Sequence, residues 1–463
     1  MNILLFSRCT SVINRFLLAC IIFLLFNSYN LKAQDAHYWT QTYGTSSTLL
    51  GGIVIGSVSD LGATYYNPGN LSLTDDPNFL FSARVFEFTS FAMDPADPKI
   101  SDVTTTSFAP SPAFVVFNIT ADWLRKNRVA ISFLTRQTMD IGLKSRFNGT
   151  ANETYLSNEF SLNEGLTDLW TGITWSYSFE QKFGIGITQY ICSRFFNSRH
   201  QVNIKVQDSL SNVSALSGIT EYDYYNIRLL WKAGIGFTFE QIRFGITITT
   251  PSVNLFGSGS TDINLSGAGF SNDTASMRND FLVSNLQEDI SSTFKSPLSI
   301  GIGAYYKFGN FQIHLASEYY KSINTYNILM PKPFESQTGS LIVENNLVAA
   351  AREVLNYGIG LEYFINPEFT LYSAFNTDFS SYEEGEQTNS SFAKWDIYHI
   401  TAGAAFTISD LEITSGVATS FANDNVEISI IRPTKSGDDE ITFPQQPTEI
   451  SSFRIKLILG ITF

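Results

Sequence analysis

The chain has 463 residues, 44% hydrophobic and 14% aromatic, with only 16% charged and a net charge of −14. That acidity argues against a nucleic-acid partner, which needs a basic face. Beyond the leader no segment is apolar for the length of a membrane helix, so a membrane crossing would have to use strands.

Residues 1–33 read as a secretory signal peptide. Arg8 and Arg15 precede the apolar run Phe16 to Phe26, and a cleavage region ends at Ala33. Leu17-Leu18-Ala19-Cys20 is lipobox-like, but the apolar run continues past Cys20, which argues against lipidation. Cleavage removes three basic residues (Arg8, Arg15 and Lys32) and no acid, so the mature chain is still more acidic. It also removes Cys9 and Cys20. Cys192 then stands alone, without a disulfide or a cysteine metal cluster, and nothing in the sequence asks for a metal or cofactor.

Residues 34–76 form a second unit. Its Gly51–Leu71 stretch is too rich in glycine for a stable helix and too irregular for a strand. It ends in Asn67-Pro68-Gly69, a turn sequence: Pro68 fixes its own φ and pushes Asn67 out of the helical region, while Gly69 can take positive φ.

Residues 77–463 alternate with period two in segment after segment. Ile242, Phe244, Ile246 and Ile248 are separated by Arg243, Gly245 and Thr247, and the last strand sets Phe453, Ile455, Leu457, Leu459 and Ile461 against Arg454, Lys456, Ile458 and Gly460. Strands of this kind with an apolar outer face are the signature of a transmembrane β-barrel. Short connections near 121–128, 180–182, 240–242, 309–310, 366–368 and 409–410 take turns with longer polar ones near 89–107, 148–165, 207–220, 257–293, 328–352, 380–393 and 431–449. The expected fold is all-β: an antiparallel barrel of about fourteen strands, an even number, with both termini in the periplasm. The chain ends on Phe463, at an outward position of the last strand.

Ser46-Ser47, Gly51-Gly52, Gly56, Asp60, Gly62-Ala63 and Tyr66-Asn67-Pro68-Gly69-Asn70-Leu71, followed by such a barrel and a terminal Phe463, resemble the FadL/TodX family. These are outer-membrane channels for long-chain fatty acids and other hydrophobic compounds. The resemblance implies that 34–76 is a small hatch plugging the lumen, with Asn67, Pro68 and Gly69 where hatch meets first strand. Gly69 replaces the family's usual Ala. It further implies an outer-membrane location, lipid around the barrel and lateral release of ligand at a kinked third strand.

Several barrel residues bear on that expectation. Inward glycines, among them Gly184, Gly186, Gly234, Gly236, Gly245, Gly303 and Gly403, either make room for a plug or relieve crowding where strands coil. Pro110 and Pro112 remove ladder donors from the second strand, and Thr135 and Gln137 would put polar groups on the lipid face of the third. A kink or paired bulges there would turn them away and mark a lateral gate; alternatively the prolines lie above the membrane. Arg228, Lys307, Arg454 and Lys456 share the lumen face, where a cation either pairs with another lumen charge or receives a ligand carboxylate.

Three functions follow for comparison. The first is hatch-gated passive uptake of a hydrophobic, fatty-acid-like small molecule. The second is a docking role with the machinery of type IX secretion, as for some FadL-like barrels. A barrel-embedded hydrolase is disfavoured, because His37, His200, His314 and His399 show no nucleophile–base spacing. The chain reads as a channel and not an enzyme.

Overall fold

The computed structural model describes residues 37–74, 78–95, 103–119, 124, 126–151, 154–207, 211–269, 280–338, 342–382, 395–408, 411–428, 434–435, 441–442 and 446–462. Residues 1–33, the expected signal peptide, and Phe463 lie outside them.

Fourteen antiparallel strands close into a barrel. In chain order they are β1 (Phe79–Pro95), β2 (Val103–Ile119), β3 (Asn127–Ala151), β4 (Thr154–Phe179), β5 (Phe183–Gln207), β6 (Val213–Phe239) and β7 (Ile242–Thr249). Then come β8 (Ser299–Phe308), β9 (Phe311–Tyr320), β10 (Val354–Asn366), β11 (Phe369–Asp378), β12 (Ile397–Ile408), β13 (Leu411–Ile428) and β14 (Gln446–Thr462). Each strand pairs with its chain neighbours, and β14 closes the ring on β1 from Thr462↔Leu80 to Thr448↔Pro95.

The outer surface explains the alternation. Ile173, Ile246, Ile302, Leu361, Val417 and Leu459 are all exposed, and many other large apolar residues join them around the ring. A water-soluble chain does not leave such a belt uncovered; lipid is the solvent that fits it. At the short-turn end phenylalanines meet from strand to strand, with Phe179, Phe183 and Phe237 at centroid distances of 5.5 and 4.9 Å along the row.

The wall is uneven in height. β3 to β6 run 25, 26, 25 and 27 residues, whereas β8 and β9 have 10 each. About ten suffice to cross a bilayer, so one side of the wall rises far beyond it at the long-loop end. The polar stretch 148–165, expected as a loop, is therefore mostly strand: β3 and β4 pair without a break from Leu143↔Leu162 to Ala151↔Thr154. Likewise 257–293 contains a hairpin, Val253–Ala268 with Phe281–Ser291, laid along the upper half of β6. Polar side chains on both faces hide such strands, because outside lipid the backbone ladder itself holds them.

Inside the barrel sits the N-terminal segment, packed against the inner wall. It has two single helical turns, Ser46–Leu49 and Ala63–Tyr66, and a 3-10 turn, Pro68–Leu73. Tyr43, Leu49, Val54, Leu61, Ala63 and Leu71 are buried against Phe114, Leu134, Tyr190 and Leu230 of the wall, so the main core lies between plug and barrel. Asp60 ties the plug together, accepting from the backbone N–H groups of Thr45 at 2.9 Å, Ser47 at 3.1 Å and Gly62 at 2.8 Å.

The inward glycines form the seat. A Cβ on Gly184, Gly186, Gly234, Gly236, Gly245 or Gly303 would collide with plug atoms of Gly69, Pro68, Asn67, Asn70, Ile55 and Gly56 respectively. Across the lumen Gly403 and Gly416 receive Leu49. Plug backbone approaches wall backbone at Gly184, Gly186, Gly245 and Gly303, and the side-chain amides of Asn67 and Asn70 do so at Gly234 and Gly236, which only missing side chains allow. Gly69 serves the same end. It does not adopt the positive φ expected of a turn; a side chain there would lie 2.6 Å from Gly234 O and 2.8 Å from Gly184 O.

Asn67 is the clamp between plug and wall. Pro68 holds it extended (φ −155°, ψ 98°), and its Nδ2 donates to Ile55 O of the plug at 2.8 Å and Ile235 O of β6 at 3.0 Å. Its Oδ1 accepts from Gly69 N at 3.1 Å. Asn67→Ala would strand buried carbonyls on both sides, and it is expected to cost about 2–4 kcal/mol. A lower denaturant midpoint for plug unfolding, read by amide exchange of residues 50–72, checks it.

Candidate functional site

On the long-loop side of the plug a cavity opens, lined from plug, wall and the segments after the external hairpin. Tyr38 and Tyr65 come from the plug, Trp170, Phe196, Tyr224 and Tyr320 from the wall, and Phe294 and Tyr326 from above. Tyr38 stacks on Tyr320 at 3.9 Å. Its charged lining is Arg136, Arg194, Arg228, Lys232 and Lys295 against Asp168 and Glu318, so cations predominate.

Pairing is incomplete. Arg228 Nη2 reaches Asp168 Oδ2 at 2.5 Å, and Arg194 Nη1 lies 3.7 Å from the same oxygen. Lys232 Nζ lies 3.7 Å from Glu318 Oε1. Arg136 donates from Nη2 to Tyr38 O at 2.8 Å and has no carboxylate within ion-pair distance among the described residues. Nη1 of Arg136 and Nη1 of Arg228 are both buried without a hydrogen-bond acceptor among the described residues. A buried guanidinium N–H without an acceptor costs free energy unless something fills the space in front of it.

The expected cation set divides accordingly. Arg228 is buried on the cavity wall. Lys456 Nζ donates to Thr40 O of the plug at 2.9 Å, and Arg454 pairs with Glu87 at 3.1 Å. Lys307 is exposed beside the short turn at Gly309, with its Nζ 5.6 Å from the centre of the Phe364 ring. Strand parity fixed the face of each residue but not its depth. Arg136 and Arg194 went unnoticed because polar neighbours mask them in sequence.

The wall beside the cavity is broken. β2 pairs with β3 only from Ile119↔Val129 to Phe114↔Leu134. Beyond that point, among the described residues, β2 pairs only with β1 and β3 only with β4. The break begins two residues from Pro112, and the β1–β2 register shifts between Ser82 and Ala83 and again between Arg84 and Glu87, alongside Pro110. On β3 the interruption is one bulge. Thr135 faces Leu169 and Gln137 faces Asp168, with Arg136 inserted between them.

That bulge inverts the strand's parity. Gln137 turns inward, where its Oε1 accepts from Arg194 Nη1 at 3.1 Å and its Nε2 donates to His37 O at 3.3 Å. Met139 packs inward with Leu166, against the outward face that unbroken alternation assigned it. Thr135 keeps its outward register opposite Leu169, and its carbonyl accepts from Tyr43 Oη at 2.9 Å. The plug therefore grips the bulge at Thr135, Arg136 and Gln137.

Structures of similar fold include a FadL homologue from Pseudomonas aeruginosa, 11% identical over 92% of this chain and 99% of that one, with a TM-score of 0.59. The Pseudomonas putida toluene transporter TodX is 13% identical over 92% and 99%, with a TM-score of 0.54. The CymD monoaromatic hydrocarbon channel is 11% identical over 92% and 98%, with a TM-score of 0.53. The fold is the FadL-type barrel. No family model and no curated protein sequence matches the chain. The likeness covers nearly the whole chain in fold, at 11–13% sequence identity.

One arrangement escaped the sequence. Ser57 Oγ lies 2.7 Å from His314 Nδ1, and His314 Nε2 lies 3.2 Å from Glu362 Oε2. The order resembles a hydrolase triad that the spacing of these residues in the sequence does not reveal. Ser57 and His314 are buried in the seat and off the cavity wall. Their hydrogen bond fastens plug to β9; residues so far apart in sequence give no spacing signal.

Proposed function

We propose that this chain is an outer-membrane channel for passive uptake of hydrophobic small molecules, fatty-acid-like amphiphiles among them. The plug blocks the axial path, and cargo leaves sideways between β2 and β3. One observation carries this reading: the β2–β3 ladder stops beside the bulge whose Arg136 and Gln137 line the cavity. A barrel gap at that point would connect the aromatic-lined cavity to lipid without crossing the glycine seat. The names of the similar structures, a toluene transporter and a monoaromatic hydrocarbon channel among them, support a hydrophobic cargo.

In this reading a carboxylate head binds at Arg228 and Arg136, whose Nη1 groups await an acceptor. A carboxylate drawing on Nη1 shifts the same guanidinium whose Nη2 holds Tyr38 O and so loosens the plug's grip on the bulge, coupling occupancy to opening. Asn67, Pro68 and Gly69 hold the remaining plug in its seat meanwhile.

Uptake of a fluorescent long-chain fatty acid into cells expressing the chain tests the proposal. Saturable uptake above that of cells lacking it is expected, and Arg136→Gln is expected to weaken apparent affinity about tenfold. Equal passage of a hydrophilic sugar of similar size would contradict the reading.

A further inference from the structure

The guanidinium groups of two arginines stand over the ring of Phe294. Its ring centre lies 3.9 Å from Arg194 Cζ and 4.9 Å from Arg228 Cζ, inside the cavity. The ring does not belong to the barrel wall. It enters on the short segment between the external hairpin and β8, held at its ends by Thr293 N donating to Ile328 O at 2.9 Å and Ser296 N donating to Ser252 Oγ at 2.8 Å. The other cavity cations repeat the pattern: Arg136 Cζ lies 5.7 Å from the centre of the Trp170 ring and Lys232 Nζ lies 4.9 Å from that of Tyr65. Cationic groups facing flat rings, with buried guanidinium N–H groups left without an acceptor, make a site for a planar aromatic body carrying an anionic group.

We infer that the cavity selects aromatic carboxylates over alkyl carboxylates, and that Phe294 occupies the ring position until such a ligand displaces it. This deepens the uptake reading and rests on it. The ligand's ring takes the place of Phe294 against the guanidinium groups, and its carboxylate supplies the acceptor that the buried Nη1 groups of Arg228 and Arg136 lack. Cation–π attraction is strongest where water is excluded, and Arg194 and Arg228 are buried. A flexible alkyl chain gains nothing from those faces and must give up its own rotational freedom.

Isothermal titration of the full chain in lipid nanodiscs tests this with 4-phenylbutyrate and decanoate, matched in carbon count and charge. Decanoate is the more apolar, so simple hydrophobic transfer favours it. The inference expects 4-phenylbutyrate to bind about fivefold more tightly. Phe294→Ala, a change outside the barrel ladder, is expected to tighten 4-phenylbutyrate several-fold and to widen its advantage over decanoate. The neutral analogue 4-phenylbutanol is expected to lose most of the affinity. Decanoate binding equally or better, or Phe294→Ala weakening 4-phenylbutyrate, would overturn the inference while fatty-acid uptake stood. Absence of uptake of any hydrophobic compound would overturn both.

Discussion

Replacing Gly236 with leucine is expected to evict the plug and convert a sealed bore into an open one. The lumen side of Gly236 is filled by Asn70 of the plug, and Leu73 Cδ1 lies 3.3 Å from where a Cβ would stand. The plug cannot retreat from the intruding side chain, because across the lumen Leu49 already lies against Gly403 and Gly416. Overpacking within a rigid core costs several kcal/mol at sites with no room to relax, roughly 1–3 kcal/mol even where there is some. The outer belt and the β5–β6 and β6–β7 ladders do not involve that side chain, so the barrel itself is expected to assemble. Single-channel recording in planar bilayers should then show a steady ionic current that the unaltered protein lacks. Ile235→Leu, one residue away on the outward face, should show none. A folded Gly236→Leu barrel with unchanged conductance would mean that the glycines do not seat the plug.

The second large effect is expected at the broken wall. Pro110→Val and Pro112→Val restore the missing backbone donors on β2, and deletion of Arg136 removes the extra residue that throws β3 out of register. Combined, they allow the ladder to continue past Phe114↔Leu134 and close the barrel, so the variant is expected to be more resistant to heat than the parent. Uptake of hydrophobic compounds should fall by about an order of magnitude. Removing Arg136 also takes away one proposed contact for the ligand head, so the double proline variant, which leaves that arginine in place, separates closure from binding. Its uptake should fall while its affinity for a fatty acid stays unchanged.

Much of this architecture was legible because a barrel in lipid obeys simple rules. Alternation had to put Ile246 and Leu459 outward and Gly245 and Gly460 inward, and tight turns had to fall where Glu240 and Gly309 lie. The plug was expected from the resemblance of Gly51–Leu71 to the FadL/TodX hatch, while the inward glycines fitted a plug and strand coiling alike. The structure shows the glycines of the two sides facing each other. Their match is physical, since backbone packed on backbone leaves no room for a Cβ on either partner.

What stayed hidden has physical reasons as well. The upper halves of β3 and β4 look like loops because, above the bilayer, no apolar face is needed to hold them. Parity assigned Lys307 and Lys456 to the lumen alongside Arg228 but carried no information on height, and height separates a cavity residue from a rim residue or a plug strap. The polar pair Thr135 and Gln137 pointed to irregularity in β3. The form it takes, one inserted arginine that turns Gln137 inward and leaves Thr135 outward, depends on cross-strand partners 30 or so residues away, Asp168 and Leu169. The Ser57–His314–Glu362 row joins the plug to two strands and has no local trace at all.

Photoaffinity mapping in the native membrane tests lateral release most directly. A fatty acid carrying a diazirine at its apolar end would be supplied to cells, irradiated during uptake, and its adducts located by mass spectrometry. Release through the wall predicts adducts on 106–113 of β2 and 137–140 of β3 in addition to the cavity. Adducts confined to the cavity and to the glycine seat around Gly184, Gly234 and Asn67, with none on those two strands, would place the path down the bore and contradict it.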